Sequence, residues 1–308
     1  MQIIISDAQN GRILRYFLQN KLRLSTKMIK HLKFSEDGIL VNGKRVTVRY
    51  TLKSGDLLSL ALEDEESAPI EPVNLPLEVL YEDDELVVPS KPADMPTHPS
   101  HDHYGDTVAN ALAYRYASQG IPFVFRPINR LDRNTSGLLL IARNRVSAGR
   151  MSEAMRKGEI RKAYLAILDG RIEAMEGTID ACLHRTAESI IVREVCSPDA
   201  PDADRAVTEY TVLAVGEAHT LVLAKPITGR THQLRVHFAY IGHPITGDDL
   251  YGTASPEISR HALHARELIL PHPTSGRKLH LTAPLPPDMA RLIARYFPDF
   301  DLAERSFL

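Results

Sequence analysis

The stretch from Arg126 to Asn144, RPINRLDRNTSGLLLIARN, decides the fold and frames the chemistry. Its second half, LLLIA, is a short apolar run closed by Arg143 and Asn144, the signature of a buried strand. Ahead of it, Arg133 to Gly137 (RNTSG) is rich in turn formers. Asp132 therefore stands on a loop that leads into a core strand, a usual place for a catalytic side chain on a rigid support. Burial would favour the protonated carboxyl, and a nearby arginine would keep it ionised and nucleophilic. A turn aspartate in a surface ion pair fits the same spacing, so the choice needs the rest of the chain.

The chain has 308 residues, enough for about two domains. With 44% apolar and 25% charged residues it can bury a sizeable core. Cys182 and Cys196 lie in no CxxC pair and cannot build a disulfide framework, which points to a reducing compartment. The N-terminus lacks the pattern of a secretory signal. The longest apolar runs, LLSLAL and GLLLIA, fall far short of the ~20 residues that span a bilayer. A cytoplasmic protein with no membrane partner is expected.

The formal net charge of −2 hides an uneven distribution. Residues 1–62 hold 11 Lys and Arg against 4 Asp and Glu, and residues 63–85 hold ten acids and no base. Basic clustering in one segment is the electrostatic footprint of a phosphate-backbone ligand.

Within the basic segment, Ile13, Leu14, Phe17 and Leu18 repeat at helical spacing, as do Met28, Ile29 and Leu32 after a possible N-cap at Ser25. ILVNGKRVTV reads as a hairpin turning at Asn42-Gly43. Acidic, proline-bearing residues 63–76 read as a linker. From residue 77 strands and helices mix without βαβ alternation, so an α+β domain over 77–308 is expected. Thr231 is a candidate N-cap for a helix that carries Leu234, Phe238 and Ile241 on one face and ends at Gly242 and Pro244; such a helix start suits a phosphate. Two short-spaced histidine groups, HPSHDH (98–103) and HALH (261–264), have no cysteine nearby, and no metal is expected. ARLIARYFPDF near the C-terminus reads as a packing helix.

The first segment, with two basic helices, VNGK in a hairpin and SGD before its last strand, resembles the small α/β RNA-binding fold of ribosomal small-subunit protein four. The resemblance implies that Arg23, Lys27, Lys30 and Lys44 face structured RNA.

RLDRNTSGLLL resembles the central motif of the RluA-type RNA pseudouridine synthases. YEDDELVVPSKPADMPTHP (81–99), RKAYLAILDG (161–170), GRTHQLRVHFAYIGHPITGDDLYG (229–252), LHARELILPHPTSG and LTAPLP resemble the family's other motifs, in the same order. Asn129 stands where many members have histidine, and Ser90 and Asp94 replace a commoner asparagine and glycine. The resemblance implies a pseudouridine synthase fold: a bent, mixed, mostly antiparallel sheet flanked by helices and loops. It also implies Asp132 as nucleophile, Tyr164 as active-site aromatic and Arg230 as the basic residue paired with Asp132. Arg130 would fill the space left by a flipped uridine or make an ordinary phosphate contact, and Leu131, Arg133, His232, Gln233 and Arg235 would line the substrate site. The implied activity isomerises uridine to pseudouridine in ribosomal or transfer RNA, with no cofactor and with the protein acting as a monomer.

Two other readings compete. A glycosylase would release free base, but glycoside hydrolysis usually wants a second carboxylate. A non-catalytic RNA binder would have little need of the set Asp132, Tyr164 and Arg230. The product separates the three: isomerisation leaves RNA mass unchanged while converting uridine, a glycosylase removes the base, and a binder leaves uridine as uridine.

Overall fold

The computed structural model describes residues 2–22, 24, 26–61, 70–189 and 191–301, with no side chain for Lys27. Ser25 and the first half of the acidic linker, residues 63–69, lie outside the described residues.

The first sixty residues build a four-stranded antiparallel sheet in the order Gln2–Ile4, Leu57–Leu60, Ile39–Val41, Lys44–Arg45. The Asn42-Gly43 turn takes φ of 52° and 75° at its two central positions, as a tight hairpin turn of this kind demands. Asp56 holds the neighbouring turns: it accepts from the Asn42 side chain at 2.9 Å, the Tyr50 hydroxyl at 3.0 Å and the Lys53 amide at 2.9 Å. Leu14, Phe17, Leu18, Met28, Ile29 and Leu32 pack onto the sheet as one cluster, while Ile13 stays exposed.

The remainder is mixed α+β around a twelve-stranded sheet that is antiparallel at every pairing but one. Its centre runs Asp204–Val215, His219–Pro226, Arg161–Asp169, Leu263–Pro271, Ser136–Leu138, Leu86–Lys91. The apolar run of the opening stretch is explained by two-sided burial. Leu139 and Ile141 enter one core with Val87, Leu165 and Phe238. Leu138 and Leu140 enter the opposite one with Leu86, Val88, Met151 and Leu268. A strand buried on both faces cannot alternate apolar with polar.

The one parallel pairing sets Ser136 and Gly137 beside His264 and Ala265. Gly137 has φ +110°, and a Cβ there would lie 2.2 Å from the Ala265 carbonyl oxygen. Only glycine lets the loop carrying Asp132 enter the sheet at this point. Among the described residues no helix is long and apolar enough to cross a membrane.

Candidate active site

Asp132 lies between the strands Arg126–Pro127 and Ser136–Leu138, on a loop held from several sides. The Leu131 carbonyl accepts from the Thr97 hydroxyl at 3.0 Å. The Arg133 carbonyl accepts from Lys91 Nζ at 2.7 Å, and that of Asn134 from Arg260 Nη1 at 3.1 Å. The Asn129 side chain accepts from the Leu140 amide at 2.8 Å, so the residue replacing the commoner histidine pins the loop to the strand. Thr135 pairs with His261 Nε2 at 2.8 Å and Ser136 with His264 Nδ1 at 2.9 Å. Burial pushes both histidines down to about 3, so they are neutral.

Lys91 is 1% exposed, and its three donors also reach the carbonyls of Pro92 at 2.8 Å and Met95 at 2.7 Å. One ammonium thus ties the Pro92–Met95 turn to the Asp132 loop. Burial pushes Lys91 down to about 7, against the opposing pull of Asp132.

Arg235 stands beside Asp132. It lies near the start of the Gln233–Tyr240 helix, 6% exposed, with Nη1 3.6 Å from Asp132 Oδ2. Its Nε and Nη2 donate to Asp248 at 2.7 and 2.8 Å, a bidentate grip that fixes the guanidinium plane. Burial alone would raise the Asp248 carboxyl, but the Arg235 hydrogen bonds and charge outweigh it and hold the group below its usual range. The Tyr251 ring lies 5.0 Å from the same guanidinium, and its hydroxyl pairs with His232 Nδ1 at 2.8 Å.

This corrects the expectation for Arg230. Its Nη1 is 3.0 Å from Asp204 and its Nε donates to the Arg205 carbonyl at 3.2 Å, at the exposed rim. Four residues separate the two arginines. Between them His232 takes a left-handed backbone, φ 57°, and turns the chain into the helix. His232, not Thr231, is the N-cap, and it makes no side-chain cap bond.

Tyr164 lies on the central strand Arg161–Asp169 and is 7% exposed. Burial, and then the Asp132 charge, push its hydroxyl well above its ordinary value, so it is a neutral phenol near pH 7. Asp132, Tyr164, Arg130, Leu131, Arg133, Arg230, His232, Gln233 and Arg235 all line one cleft of about 720 Å³. A larger cavity of about 940 Å³, lined by Arg171, Glu217, His219, Arg295, Tyr296 and Asp299, contains none of the residues expected at the site.

The other expected residues differ in what they are free to do. Arg130 is exposed, 3.5 Å from the Thr231 hydroxyl. Arg133 pairs with Asp94 at 2.6 Å. Gln233 is committed within the protein: its amide nitrogen donates to Val207 and Thr208, and its oxygen accepts from Thr228 and from the Arg230 amide. It shapes the loop before the helix. Lys30 and Lys44 are exposed on the small N-terminal sheet unit. Arg23 and the Lys27 side chain lie outside the described residues. Among those residues no group of three His, Cys, Asp or Glu side chains is placed to hold a metal ion.

Lys91, Arg260, His261 and His264, which brace the Asp132 loop, were absent from the expected site. The one local signal for Lys91 is a lysine that closes the apolar run LVVPS.

The family described as RNA pseudouridylate synthase matches residues 85–240. The chain is 39% identical over 276 residues to "Uncharacterized RNA pseudouridine synthase YjbO" of Bacillus subtilis, covering 89% of this chain and 95% of that one. It is 35% identical over 308 residues to "Ribosomal large subunit pseudouridine synthase D" of Zymomonas mobilis, covering 94% and 96%. The solved structure "Human RNA Pseudouridylate Synthase Domain Containing 1" superposes with a TM-score of 0.58 at 30% identity, over 73% of this chain and 89% of that one.

Proposed function

Since the chain belongs to the RluA-type RNA pseudouridine synthase family and is an RNA pseudouridine synthase, we propose that Asp132 is the carboxylate that performs the isomerisation. Uracil must leave its ribose, turn, and rejoin through carbon. The residues at hand suit that task with no cofactor. Asp132 supplies the nucleophile or base, and Arg235 supplies the adjacent positive charge. Tyr164 offers an aromatic surface to the base and a neutral hydroxyl for a late proton transfer. The uridine must leave its stack, which costs a few kcal/mol, and Arg130 at the cleft mouth occupies the vacated space. The observation that carries this reading is the cleft geometry: Asp132 beside a doubly anchored Arg235, with Tyr164 in the same wall.

The name of the Zymomonas relative supports ribosomal RNA as the substrate class. The basic first segment, read as residues 1–62 joined by an acidic linker (63–76) to the catalytic domain (77–308), serves as an RNA-binding module. Its exposed Lys30 and Lys44 contact phosphates. In the full-length protein, replacing both by alanine should flatten the salt dependence of RNA binding by about 0.7–0.9 per lost phosphate contact. An unchanged slope would remove both residues from the interface.

Asp132→Asn is the direct test. The change is nearly isosteric, so the fold should persist and RNA affinity should change little. The variant is incubated with total RNA from cells lacking the gene, and pseudouridine is scored separately in ribosomal and transfer RNA. Product should be undetectable even with enzyme in excess. A folded variant with near-normal product would remove Asp132 from the mechanism.

A further inference from the structure

The cations around the cleft are nearly all answered by carboxylates. Arg133 pairs with Asp94, Arg156 with Glu153, Arg230 with Asp204, and Arg235 with Asp248 and Asp132. Arg130 reaches the Thr231 hydroxyl at the solvent edge. Lys162 differs. It lines the same cleft and is half-buried, yet no carboxylate or hydrogen-bond acceptor meets its ammonium among the described residues. Its Nζ lies 3.9 Å from the point a Cβ would occupy on Gly229, against the loop that leads to Arg230. Burial pushes the group below the ordinary lysine range. Holding an ammonium there with no counter-charge is costly, and the missing charge is supplied if it arrives with the ligand.

The position indicates which charge. Lys162 and Tyr164 are two residues apart on the strand Arg161–Asp169 and both line the cleft, about 6.6 Å apart along the strand. A base lying against Tyr164 is one ribose away from its own backbone phosphate. Lysine, a compact point charge, suits a phosphate oxygen.

We propose that Lys162 seats a backbone phosphate of the RNA, the one attached to the ribose of the uridine held against Tyr164. The proposal rests on the reading of Tyr164 as the base platform.

Two arms test it in the full-length protein. In the first, Lys162→Met and Lys162→Arg are assayed for pseudouridine formation on total RNA from cells lacking the gene, across potassium chloride concentrations. Lys162→Met should raise the apparent KM about tenfold, as expected for loss of a charged hydrogen bond, and should flatten the salt slope by about 0.7–0.9. Its kcat should stay within about twofold of wild type, and Lys162→Arg should retain most of the affinity. Unchanged KM and slope would overturn the proposal. So would a loss confined to kcat with a shifted pH profile, which would make Lys162 an acid–base group.

The second arm does not depend on turnover. Uridine, uridine 3′-monophosphate and uridine 5′-monophosphate are titrated into wild type, Lys162→Met and Tyr164→Ala and followed by ligand-observed NMR. One monophosphate should bind wild type more tightly than uridine, and Lys162→Met should erase that difference. If uridine binding ignores Tyr164→Ala, the platform reading fails. If uridine needs Tyr164 but neither phosphate adds affinity, the proposal alone fails.

Discussion

Arg235 faces Asp132 with one guanidinium nitrogen, at 3.6 Å, while its other two nitrogen donors are committed to Asp248. The longer contact leaves room for Asp132 to move toward a substrate atom without its counter-charge following. The bidentate grip keeps that charge in place through the reaction, as a preorganised electrostatic partner should.

The two arginines of the GRTHQLR segment should therefore behave differently. Arg235→Ala leaves Asp248 buried without its partner, and breaking a buried pair costs about 3–5 kcal/mol. Arg235→Lys keeps a charge but cannot reproduce the fork, so its turnover should fall by at least about a hundredfold if electrostatic positioning is worth what it is elsewhere. Arg230→Ala removes an exposed rim pair, and such pairs are typically worth about 0–1 kcal/mol, so turnover should stay within about fivefold of wild type. Single-turnover rates and denaturant melts for the three variants decide it. Loss of activity in Arg230→Ala with full activity in Arg235→Lys would reverse the assignment.

Tyr164→Phe keeps the aromatic surface and removes the hydroxyl. RNA binding should persist while product formation fails, as the proposed role of the neutral phenol in proton transfer requires. Tyr164→Ala should weaken binding as well, since stacking is worth about 1–3 kcal/mol per base. Quantifying bound RNA and pseudouridine in the same samples separates the two effects. Wild-type turnover in the phenylalanine variant would leave the hydroxyl without a chemical role.

The parts of this fold legible in the sequence are those set by near neighbours. Turn formers followed by LLLIA placed Asp132 on a loop entering a buried strand, because both signals are local. Asn42-Gly43 placed the hairpin for the same reason. The partner of Asp132 was not legible. Arg230 and Arg235 occupy one short segment, and which of them points inward depends on the left-handed turn at His232 and the direction of the helix after it. Neither leaves a periodic trace. The supports of the Asp132 loop were hidden for another reason. Lys91 is some forty residues from the carbonyl of Arg133, and His261 and His264 are more than a hundred from Thr135 and Ser136. Their roles exist only once the parallel pairing at Gly137 has formed.

Those buried histidines make stability depend on acid in a definite direction. Burial pushes His261 and His264 down to about 3 and His237 to about 4, far below the unfolded value near 6.5. Between those limits the unfolded chain binds protons that the folded chain refuses, so stability must fall as pH falls. The loss should begin near pH 6.5 and continue toward pH 4. At pH 5 each histidine contributes up to about 2 kcal/mol of it, since one pKa unit is worth about 1.36 kcal/mol. Above pH 7 all three are neutral in both states and contribute no slope. Because His261 and His264 also hold Thr135 and Ser136, opening of the Asp132 loop frees both rings to take up protons, so acid should favour the open loop and activity should fall with stability. Urea melts at pH 7, 6 and 5 measure the slope. His264→Gln should reduce the drop in unfolding free energy between pH 7 and pH 5 by up to about 2 kcal/mol, even if it lowers stability at pH 7. An equal drop in wild type and variant would show that His264 titrates normally in the fold and that the acid loss comes from other groups.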